Sequence, residues 1–381
     1  MRSLEKIMNL KTIIFIQTLI FLPFLLQGNI GSDWDSYASF ASGRLLFYDG
    51  IYIPSRPPGF PLYEIIVGLF GLISVRVLLV VHFISSLLLT SFVYTKIQEN
   101  KNRFLLTLVF LTSHVFLIAS YSVIDYVIGT LFGFLFLDYL KKGKFKAATI
   151  LIIISCAIRL SNIIFLAAGI LFLLLKKIEY KNILYPLSSV VFIGLFYYPS
   201  FLLADGFCFL NLTNINHELV PRLGRFFYKQ AQFFGLIGTP IFLIYIIKNF
   251  KKFNFKDPEW ISYSFIFLSF ELSFLRLPTE KGHLIPAMVA LLLMLKNLKF
   301  NNKILIFVFL ISFISNFVTF ELLTPDVPNH ASSAKFGPKI EQGYLLQDYE
   351  NRFLKGKNFE KKIIDGIDNI KINWSNGGPN C

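Results

Sequence analysis

Charged residues are scarce in this chain, and carboxylates are the scarcer kind. Of its 381 residues only 16% are charged, with 23 Asp and Glu against 37 Lys and Arg, whereas 55% are hydrophobic. A soluble domain of this length does not need so much apolar surface. Apolar runs long enough to cross a bilayer recur from end to end, which predicts an all-α polytopic membrane protein.

Several signatures of soluble enzymes are also missing. The three Cys and five His show no metal-ligand spacing. There is no phosphate-binding glycine loop and no Gly-x-Ser-x-Gly elbow.

Cys208 and Cys381 are both expected outside the membrane, where a disulfide between them is an open alternative. No cofactor is implied, except that a divalent metal at the acidic pair Asp33 and Asp35 stays open.

The apolar runs predict about eleven spans. The first, near 12–26, has a basic start like a signal sequence. No small-residue cleavage site follows it, so an uncleaved span is expected. The other runs lie near 77–95, 104–120, 126–140, 146–158, 162–175, 183–203, 230–247, 260–275, 284–295 and 304–321. The pair 146–158 and 162–175 is either two thin spans or one hairpin.

The short apolar run Pro61–Ile73 decides the sidedness of every later loop. If this run crosses the membrane, the Lys clusters that follow it fall outside; if it lies on the outer surface, they all fall inside, as the positive-inside rule requires. We therefore expect an interfacial helix here, a cytoplasmic N-terminus and an extracytosolic tail at 322–381. Within that tail we expect two short helices, near 341–354 and 359–370. The membrane module is then 1–321, with its first outer loop at 27–76. The Lys-rich inner loops also explain the net charge of +14 without a nucleic-acid partner.

Cations on the outer side are mostly Arg. Arg suits bidentate phosphate binding, so these residues are candidates for a phosphate site. The alternative is that each one is an interfacial anchor at a helix end. The candidates are Arg159, between the two short apolar runs, Arg276, Lys281 and His283 near one late outer loop, and Arg56 in the first outer loop.

Carboxylates collect on the same outer side. Ionised residues at a bilayer edge are costly to place, so they are functional candidates. Asp33, Asp35 and Asp125 each have the alternative of capping the helix that follows. Glu64 is expected to face water from the interfacial helix.

Five short segments carry a resemblance to a known family. They are residues 33–37 (Asp-Trp-Asp-Ser-Tyr), 56–63 (Arg-Pro-Pro-Gly-Phe-Pro-Leu-Tyr), 121–125 (Tyr-Ser-Val-Ile-Asp), Arg159, and 280–287 (Glu-Lys-Gly-His-Leu-Ile-Pro-Ala). In order and sidedness they resemble the GT-C superfamily of integral-membrane glycosyltransferases, over most of residues 10–300. That family has an acidic motif on the first outer loop, then two surface helices, then spans. Where it commonly has Asp-Glu, this chain has Asp-Trp-Asp.

The resemblance implies a mannosyltransferase-like enzyme that moves a sugar from a polyprenyl-phosphate donor to an acceptor hydroxyl, with inversion, at the extracytosolic face. Such a reaction needs a base for the hydroxyl proton and cations for the departing phosphate. Asp33 or Asp35 would be the base, and the five cations named above would meet the phosphate. Asp125, Tyr37 and Glu280 would support them. The implied partners are the lipid-linked sugar, the acceptor and the bilayer.

Two other functions stay open. A transporter or flippase of a lipid-linked or anionic substrate usually has inverted repeats and a mid-membrane site. This chain has no detectable repeat, and its unusual polar residues gather at one face, which favours the enzyme. The remaining alternative is a catalytically inactive scaffold with the same fold.

Overall fold

The computed structural model describes residues 2–97, 101–203, 219–278, 280–325, 334–356 and 358–375. In that part it contains seventeen α-helices and one β-hairpin. The helices are α1 (Arg2–Gln27), α2 (Trp34–Arg44), α3 (Pro61–Ile73), α4 (Val75–Lys96), α5 (Arg103–Thr112), α6 (His114–Tyr121), α7 (Tyr126–Lys141), α8 (Phe145–Ile158), α9 (Ile163–Leu175), α10 (Tyr180–Leu203), α11 (Leu219–Ala231), α12 (Gly238–Lys248), α13 (Pro258–Arg276), α14 (Leu284–Met294), α15 (Asn302–Ser315), α16 (Tyr344–Gly356) and α17 (Phe359–Ser375); the strands are β1 (Val318–Pro325) and β2 (Ala334–Gln342). Cys208 and Cys381 lie outside the described residues, as does 204–218, the greater part of an expected outer loop.

Three described helices are long and apolar enough to cross a membrane: residues 10–27 of α1, α4 and α10. The run predicted near 104–120 is two helices, α5 and α6, which bend by 67° and together make a fourth candidate. Large apolar side chains on α1 and α10, such as Phe15, Val191 and Leu195, are exposed, as they are on a lipid-facing surface. These helices indicate a membrane protein.

Several of the other predicted spans correspond to short helices. Helices α8, α9, α12, α14 and α15 belong to apolar segments of 10 to 17 residues, and a straight span needs about 20. The count of eleven spans therefore stays a prediction. So does the choice between two spans and a hairpin for 146–175, where α8 and α9 meet at Arg159.

Contacts divide the chain into two compact units. Unit 1 comprises Met1–Leu22, Leu87–Ala119 and His217–Glu350, and unit 2 comprises Pro23–Ser86, Ser120–Asn216 and Asn351–Cys381. The predicted site residues are shared between the units. Asp33, Asp35, Tyr37, Arg56, Asp125 and Arg159 belong to unit 2, and Arg276, Glu280, Lys281 and His283 belong to unit 1.

In unit 2, the first loop contains the two helices that the sequence predicts, α2 and α3. They pack closely because glycines face each other: a Cβ added to Gly43 would lie 2.6 Å from the backbone nitrogen of Gly68. The other face of α2 is covered by α17, where Ala38, Ala41 and Ile370 form a buried apolar cluster. The C-terminal helix is therefore part of the packing around the first loop.

In unit 1, the chain leaves α15 earlier than the apolar run near 304–321 predicts. Asn316 ends the helix, and its Nδ2 donates to the carbonyls of Thr112 at 2.8 Å and Ser312 at 2.9 Å. Strand β1 follows and pairs antiparallel with β2, with Phe320 opposite Ile340. The expectation of a purely α-helical chain missed this hairpin, because its first strand continues an apolar run. The two helices expected near 341–354 and 359–370 are confirmed as α16 and α17.

Candidate functional site

Asp33 lies at the start of α2, as its N-cap. Its Oδ1 accepts the backbone N–H of Asp35 at 3.0 Å, a typical capping bond. The side chain is exposed, and its Oδ2 has no partner among the residues that the structure describes. The capping alternative therefore holds for Asp33, and one carboxylate oxygen stays accessible.

Asp35 has a different partner. Its Oδ2 forms an ion pair with Nη1 of Arg56, and both side chains are about one-quarter exposed. The Arg56 guanidinium also lies 4.9 Å from the centre of the Phe60 ring, within cation–π range. The structure thus brings together two predicted site residues that are 21 positions apart in sequence.

Glu64 holds the chain that leads to Arg56. Its carboxylate is fully buried and accepts from the Tyr52 hydroxyl at 2.6 Å and from the Ser55 backbone N–H at 2.7 Å. Burial raises the pKa of the Glu64 carboxyl, whereas the bonds from Ser55 and Tyr52 oppose that shift. The expectation that Glu64 faces water is wrong, because its face of α3 packs against the loop rather than solvent.

Arg159 and Asp125 form a buried ion pair, with Nη1 2.7 Å from Oδ2. The guanidinium also donates to the Tyr126 hydroxyl at 3.1 Å and, through Nε, to the Ser161 hydroxyl at 3.1 Å. Asp125 is at the N-cap position of α7 but makes no side-chain capping bond. Asp125 thus occupies the N-cap position without capping through its side chain, which pairs with Arg159 instead.

Phe60 connects these two pairs. The Arg159 guanidinium lies 5.5 Å from the centre of the Phe60 ring, the same ring that Arg56 contacts. Burial lowers the pKa of Arg159; Asp125 opposes the shift and Arg56 adds to it. We call Asp35, Arg56, Phe60, Asp125 and Arg159 the Asp–Arg cluster. It holds two guanidinium groups, and each one already has a carboxylate partner.

Tyr37 lies in the core rather than at the cluster. Its hydroxyl donates to Asn29 Oδ1 at 3.2 Å, and its ring packs against Phe359 of α17. Burial raises the pKa of Tyr37, and the bond to Asn29 opposes the shift. Tyr37 therefore supports the first loop by packing.

Arg352, in the last turns of α16, was not expected from the sequence. It is fully buried, and it donates to the Tyr121 carbonyl and the Ser122 hydroxyl, each at 2.5 Å. Its own carbonyl accepts from Asn29 Nδ2 at 2.7 Å. This residue joins the segments that lead to Asp33 and to Asp125. No local pattern marks it, since its partners are more than 200 positions away.

The predicted cations of unit 1 have unlike surroundings. Arg276 is exposed at the end of α13, and His283 is buried with its ring 6.2 Å from that of Phe270. Lys281 follows Glu280 in a short 3₁₀ turn, and its ammonium lies 5.9 Å from the centre of the Tyr344 ring.

A divalent metal does not fit the acidic pair. One oxygen of Asp33 is engaged in the helix cap, and one oxygen of Asp35 is engaged by a cation. Across the described residues, no group of three or more His, Cys, Asp or Glu side chains could hold a metal ion.

No protein-family model, no curated protein and no solved structure matches this chain.

Proposed function

We propose that this protein is a membrane glycosyltransferase that moves a sugar from a polyprenyl-phosphate donor to an acceptor hydroxyl. The observation that carries the proposal is the accessible carboxylate oxygen of Asp33, two residues from the Asp35–Arg56 ion pair. A carboxylate and guanidinium groups near it are what this reaction uses. The proposal includes the GT-C-like architecture, with about eleven spans and with α2 and α3 on the outer surface.

The residues have distinct roles in this proposal. The acceptor hydroxyl gives its proton to Asp33 as its oxygen bonds to the anomeric carbon. The bond between that carbon and the phosphate oxygen breaks, and the phosphate leaves with the electron pair. Attack opposite the leaving group inverts the anomeric centre. Asp35 orients Arg56, and Asp125 orients Arg159.

Cations stabilise the leaving phosphate in this proposal. Arg56 and Arg159, which belong to the same unit as Asp33, are the candidates. A guanidinium that already has one carboxylate partner keeps further N–H donors, so ion pairing does not prevent a phosphate contact. Because phosphate leaves readily as an anion, no acid on the leaving group is required.

A direct assay tests the function. Full-length protein in lipid nanodiscs is incubated with radiolabelled polyprenyl-phosphate sugars and a mixture of hydroxyl acceptors, and lipid-linked label is separated from product. We expect consumption of the lipid-linked label with an acceptor present. If the label stays lipid-linked with every sugar and acceptor tried, the proposal fails.

A transporter or flippase is the second candidate, and Glu271 favours it. This carboxylate lies within α13, accepts from Gln230, and lines a cavity of about 60 Å³ that is otherwise mostly apolar. An ionisable residue inside a membrane segment is a functional candidate. In sealed proteoliposomes, movement of labelled lipid between leaflets without its consumption would support this function over transfer.

A further inference from the structure

A loop of lysines and phenylalanines joins α12 to α13 in unit 1. Residues 250–256 read Phe-Lys-Lys-Phe-Asn-Phe-Lys, and we call them the basic–aromatic loop. Lys251, Lys252 and Lys256 are exposed, and Phe255 is 41% exposed. The positive-inside rule accounts for the lysines, but it does not account for the aromatic side chains between them. The proposed sugar transfer uses none of these residues.

The basic–aromatic loop borders a cavity of about 60 Å³. A single water needs only about 10–15 Å³, so the cavity has room for a larger polar group. The loop, the first turn of α13 and the chain that follows α14 all contribute to the lining, and all belong to unit 1. The lining residues that bear on a ligand are Lys252, Asn254, Asp257, Glu259, Trp260 and Lys296.

Two ammonium groups of the lining keep hydrogen-bond donors for a ligand. Lys252 Nζ donates to Asn249 Oδ1 at 2.7 Å, and Lys296 Nζ donates to Glu259 Oε2 at 3.0 Å. An ammonium group has three N–H donors. Each lysine therefore has further donors for an oxygen bound in the cavity.

Trp260 has a donor that the protein does not satisfy. Its indole N–H is shielded from solvent and has no hydrogen-bond partner among the residues that the structure describes. The ring packs edge-on against Phe255, with 4.7 Å between the ring centres. An indole can only donate, and a buried donor without an acceptor costs free energy. An oxygen atom bound in the cavity that Trp260 lines would supply this acceptor.

The carboxylates of the lining are already engaged. Asp257 caps α13, where its Oδ1 accepts the backbone N–H of Glu259 at 3.1 Å, and Glu259 pairs with Lys296. Lysines outnumber these two carboxylates in the loop and beside it: they are Lys248, Lys251, Lys252, Lys256 and Lys296. The positive potential of this region favours an anion over a cation.

The helix that leads into the basic–aromatic loop has a lipid-facing surface. Leu243, Ile244 and Ile247 of α12 are exposed, and α12 ends at Lys248 directly after them. The loop thus begins where an apolar helix surface ends. Aromatic side chains favour the interface between water and lipid, and lysines there attract anionic lipids. An anion that reaches the cavity from this side is a lipid headgroup.

We propose that this cavity binds the phosphate of an anionic membrane lipid. Lys252 and Lys296 contact the phosphate oxygens, since lysine is a common phosphate ligand, and Trp260 donates its indole N–H to an oxygen of the same headgroup. Phe255 lies among the neighbouring lipids. The inference is independent of the proposed sugar transfer, because no residue of the Asp–Arg cluster takes part in it.

Lipid titration of the full-length protein in detergent tests the site, with bound lipid counted by native mass spectrometry. The ligands are phosphatidylglycerol, which is anionic, and phosphatidylcholine, which carries no net charge. We expect tighter binding of phosphatidylglycerol, and a loss of about tenfold in Lys252→Gln and in Lys296→Gln, as for a hydrogen bond to a charged group. Trp260→Phe keeps an aromatic ring without the N–H and should weaken binding as well.

Two control variants separate the site from its surroundings. Lys251→Gln removes the neighbouring exposed lysine, which does not line the cavity, and should leave the affinity unchanged. Glu259→Gln breaks the same ion pair as Lys296→Gln but keeps the lysine, and it should not weaken binding. An equal loss in Glu259→Gln and Lys296→Gln would mark the ion pair as merely structural and overturn the role of Lys296.

Competition distinguishes a lipid phosphate from a free phosphate. Retention of phosphatidylglycerol in the presence of excess inorganic phosphate supports the lipid, and its displacement would overturn the lipid assignment. Equal affinity for phosphatidylglycerol and phosphatidylcholine would overturn the proposal. So would equal losses in Lys251→Gln and Lys252→Gln, which would indicate a diffuse positive surface instead of a site.

A second measurement leaves every residue of the cavity unchanged. The chain has three tryptophans, and in the variant Trp34→Phe/Trp374→Phe only Trp260 fluoresces. This protein is placed in phosphatidylcholine vesicles that contain a small fraction of either brominated phosphatidylglycerol or brominated phosphatidylcholine, whose bromine atoms quench nearby tryptophan. We expect stronger quenching by the brominated phosphatidylglycerol, because the site gathers it. Equal quenching by the two lipids would contradict the proposal.

Discussion

Arg159 pairs with Asp125 across 34 positions of sequence, at 2.7 Å and almost fully buried. The guanidinium stacks on Tyr126, 3.9 Å from its ring centre. A charge between two short helices, α8 and α9, is therefore balanced within the protein. Any phosphate contact of Arg159 has to use donors that this pair leaves available.

Removing the charge of Arg159 is expected to destabilise the protein. Arg159→Met leaves the buried Asp125 carboxylate without its partner, which costs about 3–5 kcal/mol. Thermal unfolding in detergent measures the loss. Arg276→Met, at an exposed arginine, serves as the control and should unfold like the wild type. The double variant Arg159→Met/Asp125→Asn should recover much of the loss. An unfolding midpoint unchanged by Arg159→Met would contradict the importance of the ion pair.

Asp33→Asn is expected to lower turnover by at least two orders of magnitude. General-base help contributes about 10²–10⁴-fold, and an amide cannot take the acceptor's proton. Stability should stay near that of the wild type, because Asn also caps helices well. Asp49→Asn, at an exposed aspartate near the end of the same segment, is the matched control for the assay with labelled donor. Near-normal turnover in Asp33→Asn together with loss in Asp35→Asn would transfer the role of base to Asp35.

Glu64→Met is expected to weaken the first loop. It leaves the Tyr52 hydroxyl and the Ser55 N–H without their acceptor, at a cost of about 1–3 kcal/mol for a buried unsatisfied group. Because Ser55 precedes Arg56, donor affinity should fall as well. Glu179→Met replaces an exposed glutamate of the same unit and should change neither quantity. Wild-type stability in Glu64→Met would show that the loop does not need this carboxylate.

The predicted sidedness is tested by cysteine labelling in intact cells. In a background without Cys156, Cys208 and Cys381, we expect Asp49→Cys to react with an impermeant maleimide from outside. Lys144→Cys, between α7 and α8, should react only after the cells are opened. Reaction of Lys144→Cys in intact cells would mean that Pro61–Ile73 crosses the membrane.

Local signals in the sequence determined the helices of the first loop and of the tail. The apolar run after the Pro-Pro-Gly turn predicts Pro61–Ile73, and α3 has these bounds, with a proline in its first turn. The sequence also predicts the two tail helices, which correspond to α16 and α17. Such features depend on neighbouring residues, because a proline, a cap or an apolar period acts within one or two turns.

Tertiary packing decided the partner of every charged residue at the candidate sites. Asp35 meets Arg56, and Asp125 meets Arg159, through contacts between elements that lie far apart in sequence. Nothing local distinguishes a carboxylate that faces water from one that faces a loop, so Glu64 was placed on the wrong side. The buried face of a helix is the one against which another element packs. Only the folded unit shows which face that is.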